Sequence, residues 1–353
     1  MTEIIFCVKV ILNSEEHKTK NVTIYDVAKE VGCSTATVSL ALAGDTRIRP
    51  KTIARVTDVA EKLGYIPNYT AKSLSKKTTD TLGLIVPNVE NPLFSMMISG
   101  IESFANSKKY DLILGISDSD KRKEIFYLDM LRSKRVDGLI VFPTYIDPIS
   151  ERLTNSSSLP PLVLCGSSGN RIHNTSYAKC NNRRGAYLAT EHLIKCGCKK
   201  IACVFPVRDA KQYASRYNGC CEAMHDAGIT PAPDFVYPCS PDNESIFNTT
   251  VNLIKNFRPD GIFCLCDYHA ITVMRAIAYL GMKIPEDIQL IGFDNIGISE
   301  FLPTPLSTID TRGYQVGQTA AELLIEKINN PTAAVKRIEI EPQLIIRNST
   351  CAK

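Results

Sequence analysis

The strongest constraint on how this chain folds is an internal echo. Arg135-Val136-Asp137-Gly138-Leu139-Ile140 returns as Arg258-Pro259-Asp260-Gly261-Ile262-Phe263. In each copy an Asp-Gly turn runs directly into an apolar strand, and each follows an earlier apolar run that closes on a proline, Pro87 or Pro206. With the echo strands at 138 to 142 and 261 to 265, further apolar runs lie at 111 to 116, 161 to 164 and 288 to 293, with helix-period segments between them. Fully apolar strands separated by amphipathic helices predict parallel sheet covered on both faces. There are too many strands for one small sheet. Two similar α/β lobes facing each other would leave a ligand cleft at the carboxyl ends of their strands.

The first 75 residues read differently. Thr23 is a good helix cap, Asp26 sits in the first turn, and Ile24, Val27, Ala28 and Val31 recur at helical spacing before Gly32. Ser34 can cap a second helix with Val38, Ala41 and Leu42 on one face and Thr35, Ala36, Ser39 and Leu40 on the other. A third starts at Pro50 or Lys51, repeats Ile53, Val56, Ala60 and Leu63, and stops at Gly64. Two short helices around a glycine turn, with a third to complete a small core, predict a helix-turn-helix. A face meant only to be wet usually carries Lys and Glu. Thr35, Ala36 and Ser39 are small or hydroxylated instead, as close approach to base edges requires.

Charge agrees once it is divided. Residues 18 to 77 hold eleven Lys and Arg against five Asp and Glu, leaving 30 basic and 32 acidic residues elsewhere. A basic module on a mildly acidic body is the asymmetry of a protein that meets a polyanion at one end. With 353 residues the chain has room for two or three domains.

Several classes are disfavoured. The chain has five His and no GxSxG, HExxH or P-loop, and GFDNIG lacks dinucleotide-site spacing, so no enzyme and no cofactor is expected. The thirteen Cys include no CxxC, and the apolar run from Ile4 to Leu12 is too short to span a bilayer and is not built as a secretory signal. The expectation is a cytoplasmic chain without a membrane span, whose thiols act as small buried hydrophobes rather than as disulfides or metal ligands. A transport-type solute-binding protein would share the body but has no use for the head. An architectural DNA-bending protein would need no cleft.

The string VTIYDVAKEVGCSTATVSLALAG, followed by Lys51-Thr52 and GYIPNYTAKSL, resembles the DNA-binding head and hinge of the lactose-repressor (LacI/GalR) family of bacterial transcription regulators. NNRRGAYLATEHLIKCGCKKIACV, GMKIPEDIQLIGFDNI, PLSTI and GYQVGQTAAELLIEKI carry the likeness through the body. The resemblance implies a repressor controlled by a small-molecule effector, most simply a sugar or sugar derivative. It would bind a near-palindromic double-stranded DNA operator as a homodimer, with a two-lobed body of the periplasmic-binding-protein type. It places base reading on Thr35, Ala36 and Leu40, and phosphate contacts on Thr23, Ser34, Ser39, Lys51 and Thr52. It places a minor-groove hinge at Asn68, Ala71 and Leu74, and effector contacts at Phe94, Arg216, Asp267 and Asp294, with a plain helix-start role weighing against Asp267. Leu40 stands where some relatives carry Arg or His, Asn181 where they commonly carry Asp, and Cys266 where they commonly carry Asn. The implied boundaries are an extension at 1–20, a head at 21–67, a hinge and linker at 68–80, a first lobe at 81–196 and 309–340, and a second lobe at 197–308 and 341–353. Crossovers between lobes are expected near Lys195 to Lys199, Thr308 to Asp310 and Glu341 to Leu344.

Overall fold

Three helices begin the described structure: α1 (Ile24–Val31), α2 (Thr35–Leu42) and α3 (Pro50–Leu63). The computed structural model describes residues 22–65, 78–133, 136–144, 160–166, 175–206, 213–232 and 235–351. The chain divides into two units, Met1–Lys77 and Thr78–Lys353. In the first unit Gly32 and Gly64 end α1 and α3 in the left-handed region, at φ 76° and 67°, which a side chain would resist. The small core is Val27, Ala28, Val31, Val38, Ala41, Val56 and Ala60, with Ile24, Leu42 and Ile53 half-buried around it. Leu63, counted into that repeat from spacing, is instead exposed in the last turn of α3. The hinge residues Asn68, Ala71 and Leu74 and the N-terminal extension lie outside the described residues.

The second unit alternates β1 (Thr81–Val86), α4 (Pro92–Ser107), β2 (Asp111–Ile116), α5 (Lys121–Ser133), β3 (Gly138–Val141), β4 (Leu162–Cys165), β5 (Ser176–Cys180) and α6 (Asn182–Lys195). It continues with β6 (Ile201–Pro206), α7 (Ala214–Asp226), β7 (Val236–Cys239), α8 (Asn243–Phe257), β8 (Gly261–Cys264), α9 (Asp267–Tyr279) and β9 (Gln289–Ile291). It closes with β10 (Thr308–Asp310), α10 (Gly313–Asn329), β11 (Arg337–Ile340) and β12 (Gln343–Ile345). One parallel sheet runs β11-β5-β4-β3-β1-β2 and the other β7-β6-β8-β9, each strand parallel to its neighbours. Both copies of the echo start homologous strands. Asp137 accepts from the Thr79 and Asp80 amides at 2.8 Å each, and Asp260 accepts from the Lys199 and Lys200 amides at 2.8 Å each. Each aspartate thereby ties the turn before its strand (β3, β8) to the start of the lobe's first strand.

Five strands escape a search for apolar runs, for local reasons. β7 contains Pro238 and lies at a sheet edge, where a missing amide is tolerated. β11 alternates charge with Ile at an edge of the other sheet. β5 carries Lys179, almost fully buried because its ammonium pairs with Glu339 at 3.0 Å and lies over the Tyr177 ring. β10 and β12 are three residues each and pair only with one another, antiparallel, Ile309 opposite Leu344.

The first crossover comes earlier than 195 to 199. Helix α6 packs along α7, and its Ala186, Ala189 and Leu193 lie in one core with Cys203, Phe205, Cys220, Phe263 and Phe293 of the second lobe. The chain therefore changes lobe at Asn181, directly after β5, and residues 182–196 belong to the second lobe. Periodicity identifies such a helix but not the sheet its apolar face covers. Within the first lobe α4 and α10 cross at backbone contact through Gly100 and Gly317. The described cysteines are free thiols, most of them buried.

Candidate nucleic-acid interface and effector cleft

On α2, the buried Val38 and Ala41 turn the opposite face outward, where Ala36 and Ser39 are exposed and Thr35 and Leu40 half-buried. Ser34 caps the helix: its Oγ accepts from the Thr37 amide at 3.1 Å and meets the Thr37 hydroxyl at 2.9 Å. Ser34→Ala is expected to destabilise the head by about 1 kcal/mol, the usual worth of such a cap. Hydrogen exchange of the amides after Ser34 in the full chain measures it, and unaltered protection there would contradict the capping role.

At Thr23 both donors go to Asp26 Oδ2, the amide at 2.8 Å and the hydroxyl at 2.7 Å, so a phosphate must compete with a carboxylate for them. Lys51 is exposed and Thr52 half-buried in the first turn of α3. Arg47 is paired in a fork with Asp45, whose carboxyl it holds down to about 2. The free cations of this stretch are thus fewer than its composition suggests.

In the second unit the polar residues of interest follow strand carboxyl ends, as predicted for a cleft. Asp294 comes three residues after β9, Arg216 is in the first turn of α7 after β6, and Asn182 opens α6 after β5. Arg216 lies over the Phe293 ring, its Cζ 4.2 Å from the centroid, and reaches the Asn182 side-chain oxygen at 3.4 Å. The Phe293 ring in turn fits only because α6 has Gly185 beneath it, where a Cβ would sit 2.7 Å from the ring. Two polar atoms here are buried and have no hydrogen-bond partner among the described residues: Arg216 Nε and Asp294 Oδ1. Burial holds the Asp294 carboxyl well above the usual carboxylate range, against the pull of Arg216. Asp294 and Asn295 both take positive φ, 110° and 55°, a strained geometry that is typical of functional sites.

Cys266 caps the start of α9, buried, with its Sγ 3.1 Å from His269 Nδ1. Burial raises that thiol far above its ordinary value and lowers His269 to about 4, so the pair is a neutral thiol beside a neutral imidazole. Asn181 is occupied structurally. Its side-chain oxygen caps α6 and its amide donates to Glu341 at 3.0 Å.

The four expected effector residues do not behave alike. Arg216 and Asp294 converge with Phe293 and Asn182. Phe94, in the first turn of α4, is half-buried in the first lobe and meets Phe142, directly after β3, edge-on at 5.9 Å. Asp267 is fully buried, and both its oxygens are taken by protein donors: Thr308 Oγ1 at 2.6 Å, Ser299 Oγ at 2.7 Å and the Ile296 amide at 3.1 Å. It is not the helix cap, which is Cys266. Spacing also missed Phe293, Asn182, Thr308 and Arg347; of these only the aromatic beside Asp294 carried a readable signal.

Comparison with known proteins decides the lineage. The family profile described as "Bacterial regulatory proteins, lacI family" matches residues 23–68, and "Periplasmic binding protein-like domain" matches 190–350. The chain is 33% identical over 332 residues to the "HTH-type transcriptional repressor PurR" of Aliivibrio salmonicida, covering 93% of this chain and 98% of the relative. It belongs to the lacI family of bacterial regulatory proteins. A lac repressor dimer bound to operator and the anti-inducer ONPF superposes with a TM-score of 0.83 at 24% identity, over 94% of this chain and 100% of that one. A LacI family regulator from Enterococcus faecium with bound ribose matches at 29% identity and a TM-score of 0.68, over 76% and 98%. This lacI-family chain is a DNA-binding transcription regulator under small-molecule control, and not an enzyme. Among the described residues, no helix is long and apolar enough to cross a membrane.

Proposed function

We propose that this regulator is a cytoplasmic repressor that binds a near-palindromic operator as a homodimer and is controlled by a small polyhydroxylated effector, a sugar or sugar derivative. The observation that carries the effector class is the orphaned pair, Arg216 Nε and Asp294 Oδ1, both buried at strand carboxyl ends. A hydroxyl accepts from the guanidinium and also serves Asp294 in either protonation state, because it both donates and accepts. The ribose-bound relative supports the class. Thr35, Ala36 and Leu40 read bases, with Leu40 touching a thymine methyl rather than hydrogen bonding. Ser34, Ser39, Lys51 and Thr52 hold phosphates, as does Thr23 once its donors leave Asp26. Asn68, Ala71 and Leu74 form the minor-groove hinge. The missing polar reader at position 40 shifts discrimination toward hinge insertion and DNA deformability. Effector and operator affinities are coupled reciprocally.

Selection of operator from random DNA at a stated salt concentration, followed by release assays with ribose and a panel of sugars, sugar phosphates and nucleosides, tests this reading. The expected result is a palindromic consensus and an effector response that Arg216→Ala abolishes while operator affinity stays within about twofold. No sequence preference over competitor DNA would refute the regulator reading. A full response in Arg216→Ala would remove Arg216 from the cleft.

A further inference from the structure

The segment bearing Asp294 is held by the crossovers between lobes as well as by its own sheet. The Gly292 amide donates to Ser307 O at 2.9 Å, the Asp294 amide to Ile309 O at 2.7 Å, and the Asn295 amide to Thr308 Oγ1 at 3.3 Å. The Ile296 amide and the Ser299 hydroxyl donate to Asp267, and so does Thr308 from the crossover strand β10. One carboxylate therefore bonds the far side of the effector segment and the crossover strand together. Its own amide donates to Phe293 O at 2.7 Å, which secures the near side. From the third crossover, just past β12, Arg347 donates to Asn295 Oδ1 and to Leu306 O at 2.8 Å each. Gly292 has to be glycine for this carboxylate, because a Cβ there would stand 2.0 Å from Asp267 Oδ1.

We propose that Asp267 is a positioning residue that never touches the effector: it holds Asp294 and Asn295 in their strained conformation and ties them to the crossover strand β10, with Arg347 securing the same segment from the last crossover. The proposal rests on the reading of Arg216 and Asp294 as effector contacts. Two consecutive residues with positive φ persist only where neighbours over-determine them. The bonds from Asp267, Thr308, Ile309 and Arg347 do this. A ligand that pulls on Asp294 thus moves the Thr308 strand through short bonds rather than through the lobe's core.

Hydrogen exchange of the full-length chain, without effector, tests it in Asp267→Ala, Asp267→Asn, Thr308→Val and Arg347→Met. In Asp267→Ala, amides from 293 to 299 and from 306 to 310 are expected to exchange at least roughly tenfold faster, the loss of charged buried hydrogen bonds, with the first-lobe strands unaffected. Asp267→Asn, which keeps shape and an acceptor for Ile296, is expected to restore protection. Thr308→Val and Arg347→Met are expected to give partial losses confined to the same segment, and they serve as the test should Asp267→Ala fail to fold. Unchanged protection at 293 to 299 in Asp267→Ala, uniform loss across the whole second unit, or no rescue by Asn each overturns the proposal. Because the readout needs no ligand, it stands or falls separately from the effector reading, which the Arg216→Ala release assay decides.

Discussion

Gly317→Val is expected to abolish cooperative folding of the second unit, or to lower its unfolding free energy by about 3 kcal/mol or more. A Cβ at Gly317 would lie 2.0 Å from the Met97 carbonyl oxygen, and one at Gly100 would lie 2.0 Å from the Tyr314 carbonyl oxygen. In each case the obstacle is backbone of the facing helix, which has no rotamer to change. α4 and α10 must then separate, and Met97, Ile101, Ala105, Val316, Ala320 and Leu324 lose their packing. Gly317→Ala discriminates between effects by its sign. In a helix interior, alanine ordinarily gains about 1 kcal/mol over glycine, yet here the clash dominates and alanine is expected to destabilise. Gly297→Ala, where a Cβ meets nothing within 4 Å, is the control and should stay within about 0.5 kcal/mol. Urea denaturation at fixed protein concentration reads all three. A Gly317→Ala chain as stable as the parent would show that the helices do not cross at backbone contact.

The second lobe uses the same device. A Cβ at Gly219 in α7 would lie 2.1 Å from Arg183 O in α6. The echo that reveals two related lobes in sequence thus extends to how each lobe seats a helix pair. These glycines look like ordinary helix interruptions in sequence, because nothing local shows what faces them.

What was legible follows from what is local. The three head helices, their glycine stops and the Ser34 cap are set by neighbours within four residues, and spacing places them correctly. Strands buried on both faces are also legible, since they must be apolar throughout. The short and charged strands were not, because Lys179 is tolerated only through Glu339 and Tyr177, which lie elsewhere in sequence or beside it. In the cleft, the family resemblance was enough to nominate Arg216 and Asp294. It could not separate Asp294 from Asp267. Both are buried acids in similar sequence positions; what divides them is that Thr308, Ser299 and Ile296 consume every acceptor of one and leave an oxygen of the other unpaired.

That difference sets the pH response. Burial raises the Asp267 carboxyl from 3.8 to about 6, although four hydrogen bonds pull the other way, and it moves Asp294 in the same direction. The folded chain therefore holds these protons more tightly than the unfolded chain, so their ionisation weakens the fold. For Asp267 the contribution is favourable below pH ~4 relative to neutral pH, and it is lost as pH rises through about 6. A shift of this size corresponds to about 3 kcal/mol between the two limits. Other carboxylates, such as Asp45, act oppositely, so the measurement is a difference between variants. Asp267→Asn removes the buried charge while its oxygen still accepts from Ile296, and its amide can donate to Thr308 once that hydroxyl turns to accept. The turned hydroxyl proton loses its acceptor, a cost of about 1 kcal/mol. Asp267→Asn is accordingly expected to be more stable than the parent by about 1 to 3 kcal/mol near pH 8, with the advantage closing as pH falls toward 4. Paired urea titrations at pH 8, 6 and 4.5 measure it, and a difference that does not change with pH would mean that the Asp267 carboxyl holds its proton no more tightly in the folded chain than in the unfolded one. At neutral pH the parent carries a charge that costs stability at one position, and that same carboxylate holds the strained Asp294 segment against the crossover strand. An asparagine that is more stable at pH 8 and still protects residues 293 to 299 would show that the hydrogen bonds, and not the charge, provide that hold.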